Sequence, residues 1–440
     1  MQRVLAEYDI YTSSIHGRPA FVKSDMLDMG EKYEGLASER DVEKHRAARK
    51  QLAPAFSPRA LREYQPRIHH HVNQLLLKLE EIPAKDDGFN IVPACIPTSQ
   101  LEETSAACKL IDDAQWFERV TTDLGGAIAV NHDFNNVRDG KNHPILESIL
   151  GVGQWTTIRV VFRRFPLISW MSYLLLSPKV ALSYARAHSL SSNLIQDRVK
   201  NRHDQKQLDY LTQFMSEIDP LPPKEFLVSQ AGHLIFDHFE SSSVLSAIFY
   251  FLTTNNEAMA RLQSELRGTF ASVDEMTDEA LRELPWLHAI LEESLRIHTN
   301  VPYGLPRISP GHTIDGNYVP EGCVVSTCAY ATTHSVRYFK DPYKFKPQRW
   351  LPTTHPDYHH SCDTDARSAF RPFSIGSRNC IGQAMAYVVL RIMVAKLCWK
   401  FDWELVNRND VDWDRDLRVY MVWQKPPVRV RLASFAGQAQ

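Results

Sequence analysis

Ten residues near the C-terminal end constrain this chain more than any other stretch: Phe373-Ser374-Ile375-Gly376-Ser377-Arg378-Asn379-Cys380-Ile381-Gly382. They lead straight into a strongly apolar helical pattern, which places the cysteine at a helix N-terminus, where the dipole favours thiolate over thiol. Gly376 lets the chain turn tightly, and Gly382 lets backbone come close to a flat group. Arg378 supplies a fixed planar cation near the sulfur. A lone cysteine is most often a small buried hydrophobe. Here Phe373, Gly376, Arg378 and Gly382 accompany Cys380 at set spacings, and that weighs against the bland reading.

The rest of the composition is that of an ordinary globular protein. Of 440 residues 44% are hydrophobic and 23% charged, enough for a sizeable core. Fifty Lys and Arg against 52 Asp and Glu leave a net charge of -2, so the whole chain has no pull toward nucleic acid. Seven cysteines (Cys95, Cys108, Cys323, Cys328, Cys362, Cys380, Cys398) are scattered and contain no CxxC pair, which argues against a disulfide framework or zinc site and fits a reducing compartment. No stretch reaches the roughly 20 apolar residues of a membrane span. Phe165 to Leu176 is too short, and Met385 to Trp399 is broken by Arg391 and Lys396. The opening MQRVLAEYDIYTSS lacks the apolar core of a signal peptide.

Periodicity is mostly helical, with amphipathic stretches at 43–83, 115–130, 178–203, 223–270, 277–298 and 381–400. Asp315-Gly316-Asn317 is a turn signal inside His312 to Tyr330 and predicts a hairpin. Residues 417–433, interrupted by Pro426 and Pro427, predict a second one. No repeat or linker divides the chain, so residues 1–440 are read as one domain, mainly α with small β-sheets. Pro93 to Asp113 is weakly patterned and reads as an insertion or as an artefact of how the coding sequence was assembled.

The decapeptide resembles the cysteine-ligand loop F-x-x-G-x-R-x-C-x-G of the cytochrome P450 superfamily, and every set position is met. The resemblance implies the triangular helical haem domain of that family, with Cys380 as axial ligand of the iron in haem b, Arg378 on a propionate, and Phe373, Gly376 and Gly382 shaping the loop. Further landmarks follow in order. Glu293 and Arg296 in LEESLR lie three apart and share a helix face. Such a pair is weak alone, but Phe345-Lys346-Pro347-Gln348-Arg349-Trp350 resembles the family's F-x-P-x-R-W segment and supplies Arg349. The resemblance implies a buried structural network of Glu293, Arg296 and Arg349 that locks residues 350–372. In HRAARKQLAPAFS, His45 and Arg49 are one turn apart and resemble the propionate contacts, the alternative being an exposed basic helix face. Arg307 in GLPRISP matches another propionate position. Relative to microsomal members the chain is expected to lack the anchor helix and first elements.

The long helix at 223–253 departs from the pattern. In relatives that activate dioxygen its centre reads A-G-x-[DE]-T-[TS]; here the corresponding run is Asp237-His238-Phe239-Glu240-Ser241-Ser242. Glu240 keeps the acid and Ser241 the hydroxyl, so these are the expected catalytic pair for proton delivery. His238 stands where glycine makes room for oxygen. Three readings stay open: its imidazole satisfies itself against a neighbouring helix, joins Glu240 and Ser241 in a relay, or obstructs or ligates the distal iron position.

The activity the resemblance implies is a haem-thiolate monooxygenase that uses dioxygen and electrons from an NADPH-dependent cytochrome P450 reductase. The fungal look of HRAARKQLAPAFSPRALRE suggests secondary metabolism, with a terpenoid, polyketide or alkaloid intermediate as substrate. Val301, Pro302, Tyr303, Gly304 and Leu305 are expected to line an apolar pocket with one phenol for a small lipophilic molecule, joined by Phe236 and Phe239. Arg46, Arg49, Lys50 and Arg371 are expected to form a basic reductase-docking patch. Phe165 to Leu176 would either touch the bilayer or lie in the core, and the resemblance implies the cytosolic face of the endoplasmic reticulum. Two rivals are a reductase-independent haem-thiolate enzyme that rearranges its substrate or uses peroxide, and a non-catalytic haem-binding remnant.

Overall fold

The computed structural model describes residues 5–13, 17–27, 32–81, 89–90, 116–202, 208–215, 221–420 and 423–435. The segment 93–113 lies outside them. After helix α1 (Leu5–Tyr11), α2 (Val42–Leu52) starts at Asp41, whose carboxylate accepts from the Lys44 N–H, and it gives way to a 3₁₀ turn at Ala53–Phe56 before α3 (Pro58–Glu81). The sequence pattern predicted one helix across 43–83. Proline lacks the N–H a continuous helix needs, and Pro54 falls at the break.

Helices α4 (Trp116–Ala129), α5 (Pro144–Arg163) and α6 (Pro178–Lys200) follow. The second of these went unpredicted, because Leu, Val and Ile recur around it without a polar face. The stretch 223–270 is two helices, α7 (Lys224–Thr254) and α8 (Asn256–Thr269). Between them Asn255 leaves helical geometry, and its side chain accepts from the Ala258 N–H, an N-cap that starts a new helix. Helices α9 (Pro285–Ile297) and α10 (Gln383–Lys400) complete the body.

Helix α7, 31 residues long, packs against α4, α6, α9 and α10 and so runs through the middle of the core. Three small antiparallel sheets sit around this body. Strands β1 (Val22–Lys23), β3 (Arg307–Ile314) and β4 (Asn317–Val325) form one; β2 (Phe89–Asn90), β5 (Phe401–Leu405) and β8 (Arg429–Ser434) another; β6 (Arg418–Val419) and β7 (Trp423–Gln424) the third. The β3–β4 hairpin turns at Asp315 and Gly316, both with positive φ, as the turn signal predicted. The terminal hairpin is shorter than expected: β6 pairs with β7 over two residues, and after Pro426 and Pro427 strand β8 joins β5 instead.

The apolar run after α5 is a 3₁₀ segment, Pro166–Leu175, and it is not core. Leu167 is 93% exposed, and Phe165, Trp170, Tyr173 and Leu174 stand out beside it. Among the described residues no helix is long and apolar enough to cross a membrane.

Candidate active site

A cavity of about 380 Å³ lies between α7 and the loop that precedes α10. Cys380 opens onto it, with the Cys380 N–H bonded to the Phe373 carbonyl at 2.9 Å. Gly376 has φ +85°, and a Cβ there would fall 1.9 Å from the Tyr11 carbonyl oxygen, so both backbone shape and close approach demand glycine. Gly382, beside the sulfur, has no such conflict with protein atoms. Burial pushes the Cys380 thiol up to about 12, helped by the Asp237 carboxylate, while the Gly382 N–H pulls it back only in part. A bound metal cation at the sulfur would favour the thiolate.

At one end of the cavity Lys23, Arg49, Arg307 and Arg378 converge around His45. Burial, then these four cations, hold the His45 imidazole down to about 3, so it is neutral at physiological pH. Arg49 donates inward to the Asn379 carbonyl and side chain at 2.7 and 2.6 Å, and Arg378 donates to the Glu39 carbonyl at 2.9 Å. Arg307 is buried against the Leu305 and Pro306 carbonyls and the Tyr11 ring. Burial and mutual repulsion lower Lys23 to about 7 and Arg307 to about 10. Such a cluster of desolvated cations calls for anions, and two carboxylates at the rim of a flat group would supply them. The donor set of one thiol facing a cavity with guanidinium groups at its edge fits haem b. Lys23 went unnoticed in the sequence, where a lone lysine has no signal.

The structural network is fully buried. Arg296 meets Glu293 through two parallel bonds of 2.9 Å, and Arg349 reaches the same carboxylate at 3.1 Å. Trp350 Nε1 and the Lys346 N–H also donate to it, each at 2.8 Å. Burial would raise the Glu293 carboxyl, but Arg296 and Arg349 outweigh it and hold it below the usual range. Arg296 further donates to the Thr333 and Pro342 carbonyls, and Arg349 pairs with Asp365, a member no sequence landmark announced.

On the opposite wall α7 contributes Gln230, His233, Asp237, His238, Glu240 and Ser241. Burial and then Asp237 push the Glu240 carboxyl up to about 8. His238 Nδ1 is 2.9 Å from the Leu234 carbonyl one turn back, its ring lies against Tyr210, and Nε2 is buried without a partner. The imidazole is therefore satisfied half by its own helix and is tucked toward Tyr210. Four of the five expected loop residues, Val301, Tyr303, Gly304 and Leu305, line the cavity. Pro302 does not: its carbonyl accepts from the Tyr330 N–H, which turns it away. Phe236 lines the wall, whereas Phe239 points behind α7, where Lys425 lies over its ring. The cavity is mainly apolar, as expected, but α7 adds polar groups to it, and Tyr11 and Tyr210 line it beside Tyr303 where one phenol was expected. Of the expected docking patch, Arg49 and Arg371 line the cavity, which leaves Arg46 and Lys50 exposed on α2.

The comparisons with known proteins agree with this geometry. The family model described as Cytochrome P450 matches residues 2–432. The chain belongs to the cytochrome P450 family. Similar curated proteins include cytochrome P450 monooxygenase BOA3 of Botryotinia fuckeliana, 31% identical over 97% of this chain and 80% of that protein. Cytochrome P450 monooxygenase poxC of Penicillium oxalicum is 30% identical over 96% of this chain and 77% of that protein. The solved cytochrome P450DA haem domain superposes with a TM-score of 0.76 at 17% identity, covering 100% of this chain and 87% of that one, which shows the shared fold. Family and relatives together make this cytochrome P450 a monooxygenase.

Proposed function

We propose that this cytochrome P450 oxidises a small lipophilic natural product of fungal secondary metabolism, with dioxygen and with electrons from an NADPH-dependent reductase. The observation that carries the reading is the shared cavity onto which Cys380, the Lys23, Arg49, Arg307 and Arg378 cluster, and Glu240 with Ser241 all open. Cys380 would hold the haem iron, and the four cations with His45 would hold its propionates. When bound, that group supplies dioxygen activation, with the thiolate pushing electron density toward O–O cleavage.

The chain's own residues supply position and protons. Glu240, raised to about 8, carries a proton at neutral pH and faces the cavity, so it can act as the donor. Ser241, next to it, offers a hydroxyl that can pass the proton on. Asn300 Nδ2 donates to the Glu240 carbonyl at 3.4 Å, which ties the substrate loop to this turn of α7. Val301, Tyr303, Gly304 and Leu305 would orient the substrate. Gly304 is required there, because with φ +80° a Cβ would fall 1.8 Å from the Thr327 carbonyl oxygen.

Exposed Arg46 and Lys50 on α2 offer the acidic face of a reductase a small docking patch. The exposed apolar surface around Leu167, Trp170 and Leu174 supports peripheral contact with a bilayer, consistent with the cytosolic face of the endoplasmic reticulum. The altered Asp237 to Ser242 run favours a second reading, a reductase-independent enzyme that takes peroxide or rearranges its substrate. Carbon monoxide difference spectroscopy followed by NADPH consumption with reductase decides. A thiolate-type band with coupled turnover is expected; a band with peroxide-only activity selects the second reading, and a band without either describes a haem-binding remnant.

A further inference from the structure

Where α3, α4 and the turn that follows α4 meet, three side chains come together that the proposed oxidation does not use. One ring nitrogen of His71 on α3, one carboxylate oxygen of Asp123 on α4 and one of Asp133 just beyond it lie within 4.8 Å of one another. None of the three lines the cavity. Asp123 is wholly buried, and it accepts from the Asn136 N–H and side chain at 3.0 and 2.7 Å and from the Val137 N–H at 2.9 Å. Asp133, half-buried, accepts from the Asn135 N–H at 2.8 Å. All these donors are neutral, and among the described residues no ammonium or guanidinium closes on either carboxylate. Arg67 and Arg138, whose charges act on the cluster, are bound elsewhere, Arg67 to the Ala127 and Leu208 carbonyls and Arg138 to Asp139. His71 is 3% exposed, and its Nδ1 is buried without a partner. The Gln74 side chain approaches the same ring from along α3, the kind of outer partner that orients a ligating imidazole.

A buried ring nitrogen left without a partner costs stability until something closes on it, and one imidazole with two carboxylates is a donor set that suits a divalent transition metal. We propose that His71, Asp123 and Asp133 bind such an ion, zinc by donor type, with water at the fourth position. Ligand atoms around zinc stand about 3.3 Å apart. The three atoms therefore draw in by about 1.5 Å at most from the spacing seen here. One ion answers both carboxylates and the free nitrogen at once, which no neighbouring side chain does. Its role is structural: it ties α3 to α4 and to the turn after it, and because it needs all three segments in place it stabilises the folded chain by mass action. The site is separate from the haem cavity and does not depend on the oxidation proposed above.

The test uses the tag-free, haem-loaded full chain, passed over a chelating resin and titrated with zinc chloride. Zinc per haem is read by atomic emission, affinity by calorimetry and melting by circular dichroism. Wild type is expected to take one zinc per haem and to melt about 3 °C higher at a hundred-fold excess over the dissociation constant. Asp133→Asn, which keeps an oxygen for the Asn135 N–H, and His71→Gln are each expected to weaken that zinc by at least about ten-fold and to lose most of the melting shift. His360→Gln removes an exposed histidine beside Asp363, a surface competitor for zinc, and is expected to change neither reading. No zinc retained by wild type, an affinity unchanged in both Asp133→Asn and His71→Gln, binding without a melting shift, or loss of the zinc in His360→Gln overturns the assignment. Should His71→Gln fail to hold haem, Asp133→Asn at its half-buried position decides alone.

Discussion

Two buried charged regions of this molecule behave in opposite ways. In the network of Glu293, Arg296, Arg349 and Asp365 every charge has a partner of opposite sign, and backbone carbonyls take the remaining guanidinium protons. Around the cavity, Lys23, Arg307 and Arg378 face one another, while Asp237 and Glu240 face the sulfur of Cys380. A matched set holds shape, because removal of one member leaves a buried charge unpaired. An unmatched set stores a demand for ligands. The first region is built to be rigid, the second to be completed.

That contrast can be broken, and the largest effect is expected at the sulfur that faces the cavity. Cys380→Ser should abolish the thiolate-type carbon monoxide band altogether; an unchanged optical signature would refute the assignment of Cys380. Next comes Glu293→Gln, which leaves Arg296 and Arg349 without their carboxylate. Urea unfolding should show about 3–5 kcal/mol lost stability, and a loss below about 1 kcal/mol would mean the network is not what locks the loop. On the cavity side Glu240→Gln should leave folding unchanged within about 0.5 kcal/mol and lower coupled turnover by about a hundred-fold. Equal turnover in this variant would remove Glu240 from proton delivery.

The smallest effect comes from two buried histidines, one beside the network and one behind α7. His334 stands near Arg296 in the network, and His298 stands behind α7 near Lys425. Burial foremost, with those cations, lowers them to about 4 and about 3. The unfolded chain takes up protons at each below pH 6.5 that the native state refuses, so stability should fall as pH drops from 6.5 toward 4. Each contributes a slope of up to about 1.4 kcal/mol per pH unit. Urea midpoints at pH 7, 6 and 5 should show this loss, and His298→Gln with His334→Gln should reduce it, leaving the share that His45 contributes. A pH-independent midpoint would show that neither is buried neutral.

Much of the matched region was legible along the chain. Glu293 and Arg296 sit at helical spacing, and Arg349 lies in a six-residue pattern of its own, so local sequence announces them. Asp365 does not, because it meets Arg349 only after the chain has folded back. The unmatched region was harder to read. Lys23 comes from a two-residue strand some 280 residues before Arg307, which β1–β3 pairing brings beside it. Tyr210 reaches the cavity from a short stretch with no motif, through ring contacts with Phe56 and His238. Pro302 and Phe239 show the converse, since adjacency to lining residues does not decide which way a side chain faces.

By itself the sequence determined the mainly helical body and the residue pattern around Cys380, because those depend on residue type at short spacing, and the family resemblance of its motifs implied that Glu293, Arg296 and Arg349 share one network. Only the tertiary structure decided which charges are answered and which wait. Whether a carboxylate is paired, protonated or left facing a cavity depends on what burial brings within a few ångströms of it, and that distance is set by packing between segments far apart in the chain.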